Sequence, residues 1–352
     1  MDSSGPSCVT IASIIVIILT SVLFNCLGDN KVFYRRKILL ALLEAFGGSL
    51  AKTDCQKLMF LLCLRGEKNY YDFFPHKYGN FSFLLYQDWN RLVDLGYLAK
   101  QSNFQLSDTR SYLDQIQRED RLVLQALVSE IGNLRGEKLI RKVYLEVPYY
   151  ALRSEIAEKI LDANEYQDIR NKQIKNDAPC LFTIGYEGLS IDAFLNILIS
   201  NNVASLVDVR KNPISMKYGF SKTKFSEFIK TAGLSYYHIP ELGVPSDLRR
   251  DLKSITAYQK LFDYYSVAIL PNQKDSLENL KNIINLRKRV AITCFEADYR
   301  FCHRCKIAEY VEQEPSFDVP VVHLQKDCTQ ANSIMYNYNS ATSPSIWDNP
   351  SE

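Results

Sequence analysis

No charge of one sign dominates this chain: 42 Lys+Arg stand against 40 Asp+Glu, a net of +2. That balance neither demands nor forbids a polyanionic partner, because local patches decide such binding. Cysteine is sparse and odd in number, nine in 352 residues. This excludes a disulfide scaffold and fits reduced thiols in a cytoplasm. Neither G-x-x-x-x-G-K-S/T nor G-x-G-x-x-G occurs, so nucleotide binding through those glycine-rich loops has no support. With 47% hydrophobic and 23% charged residues, the chain cannot be disordered throughout, collagen-like or a polytopic membrane protein. At roughly 150 residues per domain, its length suggests two domains.

Charge is absent from Ser3 to Gly28, and Val9–Leu27 is an almost unbroken apolar run. About 20 such residues span a bilayer. Lys31, Arg35, Arg36 and Lys37 follow, which would keep the rest of the chain cytoplasmic. Residues 1–31 thus read either as a single inner-membrane anchor or as sequence upstream of a true start at Val32. The membrane is a partner only under the first reading. Under both, the globular part is cytoplasmic.

Residues 32–165 read as a mainly helical, winged-helix-like domain. Arg36–Phe46 has helical apolar spacing and stops at Gly47-Gly48. Thr53 is placed to cap a helix over Asp54–Leu64. An aromatic, turn-rich stretch, Tyr70–Phe83, precedes a helix that Ser82 opens and Gly96 ends, and Tyr97-Leu98 starts a short wing. Between Lys31 and Lys100, 11 Lys+Arg face 6 Asp+Glu, a modest footprint for nucleic acid that a solvated basic face would equally produce. Leu122–Ile131 and Ala151–Leu161 carry helical spacing, and the pattern lapses at a linker over 166–179.

Residues 180–326 change character to an α/β domain. Strands at Cys180–Gly185, Ala204–Val209, Leu234–Ile239, Arg289–Cys294 and Val319–Leu324 alternate with helices at Ile191–Ser200, Lys222–Thr231, Thr256–Leu270, Ser276–Leu286 and His303–Val311. Such alternation implies a mostly parallel sheet with right-handed crossovers. The polar, aperiodic residues 327–352 read as a disordered tail.

Ligands of an open parallel sheet bind beyond the carboxyl ends of its strands. Just past the first strand stand Tyr186 and Glu187; past the second, Asp208 and Arg210; past the third, His238 and Glu241. Past the fourth come Cys294, Glu296 and Asp298, then Cys302, His303 and Arg304. This gathering reads as an acid–base or nucleophilic site. Asp208 and Arg210 flank Val209 in a period-2 strand, so both point one way and Val209 the other; they form either a plain ion pair or an anion site. Arg210 and Arg304 suggest a phosphate clamp, with Lys217 on a neighbouring loop and Glu241-Leu242-Gly243-Val244-Pro245 as a lid. Three readings compete for Cys294–Cys305. Zinc would use Cys294, Cys302, His303 and Cys305, although structural zinc usually pairs two C-x-x-C knuckles and one is present, so no cofactor is required. Cys294 or Cys302 would otherwise be a nucleophile, or the thiols only pack and the chemistry falls to Glu296, Asp208, His303 and Arg304.

The segments TIGYEG, LVDVRKNPIS, YYHIPELG and TCFEADYRFCHR, over residues 181–312, resemble the bacterial domain of unknown function numbered 488. Members share a TIG start, a VDVRxxP strand, an HxPELG turn and a final C-x-E-x-x-x-x-x-CHR block. The corresponding positions here are Gly185, Asp208, Arg210, Pro213, His238, Glu241, Gly243, Cys294, Glu296, Cys302, His303 and Arg304. Tyr186-Glu187 stand where many members have His-Ser. Some members carry a loose DNA-repair or nucleic-acid-processing label. More weakly, QKLMFLL, YYDFFPHKYGNFS and LVDLGYL resemble small winged-helix-like proteins found near prophage and toxin–antitoxin genes. The strand-end side chains, read together with this resemblance, suggest an enzyme acting on nucleic acid or a nucleotide, in repair or phage defence. Asp208 and Glu296 would be acid/base groups, His238 or His303 a proton shuttle, and Arg210, Arg304, Tyr186, Glu241 and Lys217 substrate contacts. The alternatives are a cysteine-nucleophile phosphatase or sulfurtransferase, and a non-catalytic DNA-binding regulator or antitoxin-like module.

Overall fold

A computed structural model describes residues 32–171, 176–249, 254–315 and 317–326. The anchor and start-site readings of residues 1–31, the tail 327–352 and part of the expected linker lie outside the described residues. Among the described residues, no helix is long and apolar enough to cross a membrane.

The N-terminal region is helical. Helix α1, Tyr34–Ala45, buries an apolar run from Ile38 to Leu43 and leaves through Gly47 and Gly48 at φ +90° and +81°, backbone that favours glycine. Strand β1, Ser49–Leu50, leads to α2, Lys52–Gly66. Thr53 lies inside the first turn of α2 and does not cap it; the cap position is Ala51, without a side-chain bond. The aromatic stretch forms a hairpin, β2 Phe74–His76 and β3 Gly79–Phe81. Ser82 then caps α3, Phe83–Asp94, accepting from the Leu85 N–H at 3.3 Å. Strand β4, Phe104–Gln105, returns to pair with β1, and Leu98 bridges to Leu106. Helices α4 (Arg118–Ile131) and α5 (Gly136–Glu146) complete this core.

Further sequence-based expectations shift here, among them the helix expected over Thr256–Leu270, whose α-helical part ends at Tyr264. The helix expected over Ala151–Leu161 is a 3-10 turn at Pro148–Ala151 followed by one turn of helix, α6, Ala157–Ile160. The expected linker opens as a helix, α7, Ala163–Asn171, because Ile169 is buried with Ile140, Tyr144 and Ala157.

The C-terminal region is α/β. In chain order it comprises β5 Cys180–Gly185, α8 Ile191–Ser200, β6 Ser205–Asp208, α9 Lys222–Thr231, β7 Ser235–His238, α10 Ile255–Tyr264, α11 Lys274–Arg287, β8 Arg289–Cys294, α12 His303–Glu312 and β9 Val321–Leu324. The five strands form one sheet in the order β7-β6-β8-β5-β9, and every pairing is parallel. Helices α8 and α9 cover one face over Phe182, Ile184, Leu206 and Ala291. Helices α10, α11 and α12 cover the other over Val207, Val209, Val290 and Ile292. Strand β8 therefore feeds a helix on one face while both neighbours, β5 and β6, feed helices on the other. Their loops diverge at the carboxyl edge, which is where such sheets open a crevice.

The two regions share a boundary on the α8/α9 face. Phe74 and Phe83 belong to the α/β core, and Phe83 stacks on Phe228 at 4.0 Å between ring centres. Asp192, fully buried in the first turn of α8, accepts from Ser82 Oγ at 2.9 Å and from the backbone N–H groups of Phe83 and Leu84 at 2.7 and 3.0 Å. One carboxylate thus satisfies the start of a helix in the other region.

Candidate active site at the carboxyl edge of the sheet

The polar residues expected at this edge reach it on two different faces. Registered neighbours β6 and β8 place Asp208 beside Thr293, so Val209 and Cys294, one residue further along, point to the opposite side.

On the α8/α9 face, Asp208 and Arg210 form a buried ion pair. Arg210 Nε and Nη2 donate to the two carboxylate oxygens at 2.8 and 2.6 Å. Arg210 Nη1 donates to Tyr186 Oη at 3.0 Å and to the Phe220 carbonyl at 2.8 Å. The Tyr236 hydroxyl donates to Asp208 at 2.8 Å. Tyr186 is buried and stacks on Phe220 at 4.3 Å. Lys217 Nζ donates to the Tyr186 carbonyl at 3.1 Å, and His238 Nε2 donates to the Arg210 carbonyl at 2.9 Å. Glu241 is exposed. Gly243, of the HxPELG turn, lies so close to the preceding loop that a Cβ would come within 2.4 Å of the Lys211 nitrogen.

On the α10/α12 face, Cys294 ends β8 and Cys302 and His303 start α12. His303 Nδ1 lies 3.7 Å from Cys294 Sγ and 3.8 Å from Cys302 Sγ, and Cys294 Sγ lies 3.3 Å from Glu296 Oε2. All three side chains other than Glu296 are buried. Burial by itself would raise the Cys294 thiol, but the Cys302 hydrogen bond, His303 and Arg249 outweigh it and hold Cys294 well below the ordinary thiol value. Cys302, buried and hydrogen-bonded to that sulfur, is pushed well above it. Burial, then the neighbouring Cys294, raises the Glu296 carboxyl. Among the described residues, Cys294, Cys302 and His303 bring their ligand atoms close enough together to share a metal ion.

Arg304 is fully buried beneath this cluster. Its Nη1 and Nη2 donate to the carbonyls of Glu296 and Ala297 at 2.5 and 2.9 Å. The same loop presses on β5: a Cβ on Gly185 would lie 1.7 Å from the Glu296 oxygen. Gly185 and Arg304 therefore position Glu296. Arg210 and Arg304 are both engaged within the protein, on opposite faces, and do not form the phosphate clamp expected of them. The physical reason is strand parity, which separates Arg210 from the C-x-E…CHR block.

A cation at this edge that borders an open cleft is Arg249, which sequence reasoning did not single out. It lines a cleft of about 260 Å³ with Tyr258, Leu261, Phe262 and Glu296. Its Nη1 stands 3.9 Å from Glu296 Oε1, and its side chain keeps 35% exposure. The signal was present in a weak form: Arg249 follows the loop after the third strand, four residues beyond the stretch read as a lid.

Residues 190–311 match the family model of the domain of unknown function DUF488. The matched segment contains both clusters and Arg249, while Gly185 and Tyr186 precede it. No curated protein and no solved structure gives a significant match.

Proposed function

We propose that the C-terminal α/β region is a hydrolase for a nucleotide-class substrate bound in the Arg249 cleft. The observation that carries this reading is the cleft itself. One partly exposed guanidinium, two aromatic rings and a carboxyl group converge at the edge where parallel sheets bind ligands. Arg249 holds the substrate phosphate, Tyr258 and Phe262 cover its base, and Glu296 transfers the proton. Asp208, Arg210, His238 and Tyr186 support the sheet edge from behind. The N-terminal region serves as a winged-helix-like module that brings the enzyme to DNA or to a protein partner. Its helices and the β1–β4 ribbon support that role.

The test is a panel of nucleoside phosphates, followed by calorimetry for binding and product analysis for turnover. Arg249→Ala should weaken binding by about 10–100-fold, the worth of a charged hydrogen bond. Glu296→Gln should leave binding near wild type and lower kcat by about 10²–10⁴-fold. Wild-type binding by Arg249→Ala, or no binding of any nucleotide by the intact protein, would refute the reading.

A further inference from the structure

Cys294, Cys302 and His303 form a set that the hydrolase reading has not used. Their two sulfurs and Nδ1 all lie within 4.8 Å of one another in a buried pocket of side chains. The histidine is already oriented. Its Nε2 lies 3.3 Å from the Val209 carbonyl, which can only accept, and its Nδ1 lies 3.3 Å from Arg249 Nη2, which can only donate. The ring therefore carries its proton on Nε2 and presents the Nδ1 lone pair to the sulfurs. A backbone carbonyl fixing the far nitrogen in this way is the usual support of a metal-bound histidine. The spacing agrees as well. Tetrahedral zinc, with bonds of about 2.3 Å to sulfur and about 2.0–2.1 Å to nitrogen, holds those atoms about 3.6 Å apart. The observed separations are 3.7 and 3.8 Å.

We propose that Cys294, Cys302 and His303 bind a single thiophilic divalent cation of the zinc class. Cys305 is not a ligand, contrary to the C-x-x-C pattern, because its sulfur turns away to Glu309 Oε1 at 3.0 Å. Both sulfurs bind as thiolates, any thiol proton still present leaves to solvent, and two thiolates with a neutral imidazole and a divalent ion form a centre with no net charge. The Arg249 Nη2 must withdraw from Nδ1, which turns that guanidinium toward the cleft it already lines. Glu296, with Oε2 3.3 Å from Cys294 Sγ, stands beside the fourth position, where a bound water would be activated. In its consequences for turnover this inference rests on the hydrolase reading, but ion binding is measured separately.

The experiment uses the full chain, stripped with a chelator, dialysed, and titrated with Co²⁺ and then Zn²⁺. One ion per chain is expected. Co²⁺ should give a thiolate charge-transfer band in the near ultraviolet and the strong visible bands of a four-coordinate site, both erased by Zn²⁺. Cys302→Ser should lower affinity by more than about 100-fold, since even loss of an outer-shell partner costs about 10–100-fold. Cys305→Ser should bind as wild type. Should the Cys302 variant not fold, ¹¹³Cd NMR on the wild-type protein reads the number of sulfur ligands directly, and a shift for two sulfurs is expected. Binding far below one ion per chain, absence of the thiolate band, or equal losses in the Cys302 and Cys305 variants would overturn the proposal. One ion bound without nucleotide binding would sink the hydrolase reading alone, and nucleotide binding without an ion would sink the metal site alone.

Discussion

The two polar clusters at the carboxyl edge have similar compositions and opposite states of satisfaction. On the α8/α9 face, each nitrogen of Arg210 and both oxygens of Asp208 have partners inside the protein. On the α10/α12 face, Arg249 keeps a loose 3.9 Å contact with Glu296 beside an open cleft, and two thiols share one imidazole. A buried polar group with all its partners stabilises and specifies the fold, and one with spare capacity beside a cavity is available to a ligand. Residue type at a strand end does not distinguish these cases, whereas the bonding inventory does.

The contrast is sharpest in Arg210→Ala. Removing the guanidinium leaves Asp208 buried and charged, with the Phe220 carbonyl and Tyr186 hydroxyl short of a donor. Breaking a buried pair in this way costs about 3–5 kcal/mol. Chemical denaturation should show that loss, and a midpoint close to wild type would dissolve the distinction between a structural face and a functional one.

A smaller effect on the same face is expected at Asp192. Asp192→Ala strips three donors at the start of α3, and unsatisfied buried groups cost about 1–3 kcal/mol. Burial pushes the Asp192 carboxyl up to about 7, with the donors from Leu84, Phe83 and Ser82 pulling the other way. The folded chain thus keeps a proton that the unfolded chain releases near pH 4, roughly the ordinary aspartate value. The stability this group contributes is full in acid and is lost as pH rises through about 7. Urea unfolding should show a larger gap between wild type and variant at pH 5 than at pH 8. A gap that widened with pH would place the charged form in the folded protein.

Much of this architecture was legible in the sequence. Cys180–Gly185, Ile191–Ser200, Lys222–Thr231 and Arg289–Cys294 were delimited to the residue, because changes of apolar pattern fall at Gly, Ser or charged positions. The opposed orientation of Val209 against Asp208 and Arg210 followed from the two-residue period of a strand. The register between strands was not legible, because nothing within β8 tells which residue of β6 lies beside Cys294. That offset decides which side chains meet, and it divides the expected site in two. Helix α5, opened by Gly136 without a side-chain cap, lacked a start signal, and the short Ala163–Asn171 helix hid in a polar segment whose one buried anchor is Ile169.

Arg249→Ala provides the smallest stability effect and the closest control on the comparison. Arg249 and Arg210 both stand near carboxylates at one sheet edge, yet their side chains keep 35% and 6% exposure. A partly exposed arginine with a 3.9 Å ion-pair distance and one 3.3 Å contact to His303 Nδ1 contributes about 0.5–1.5 kcal/mol to folding. Its removal should therefore shift the denaturation midpoint far less than Arg210→Ala does, while nucleotide affinity falls. If Arg249→Ala instead destabilised the fold as much as Arg210→Ala, the guanidinium would be holding the Cys294–His303 cluster together. The cleft would then be a by-product of packing, and the division of labour between the two faces would disappear with it.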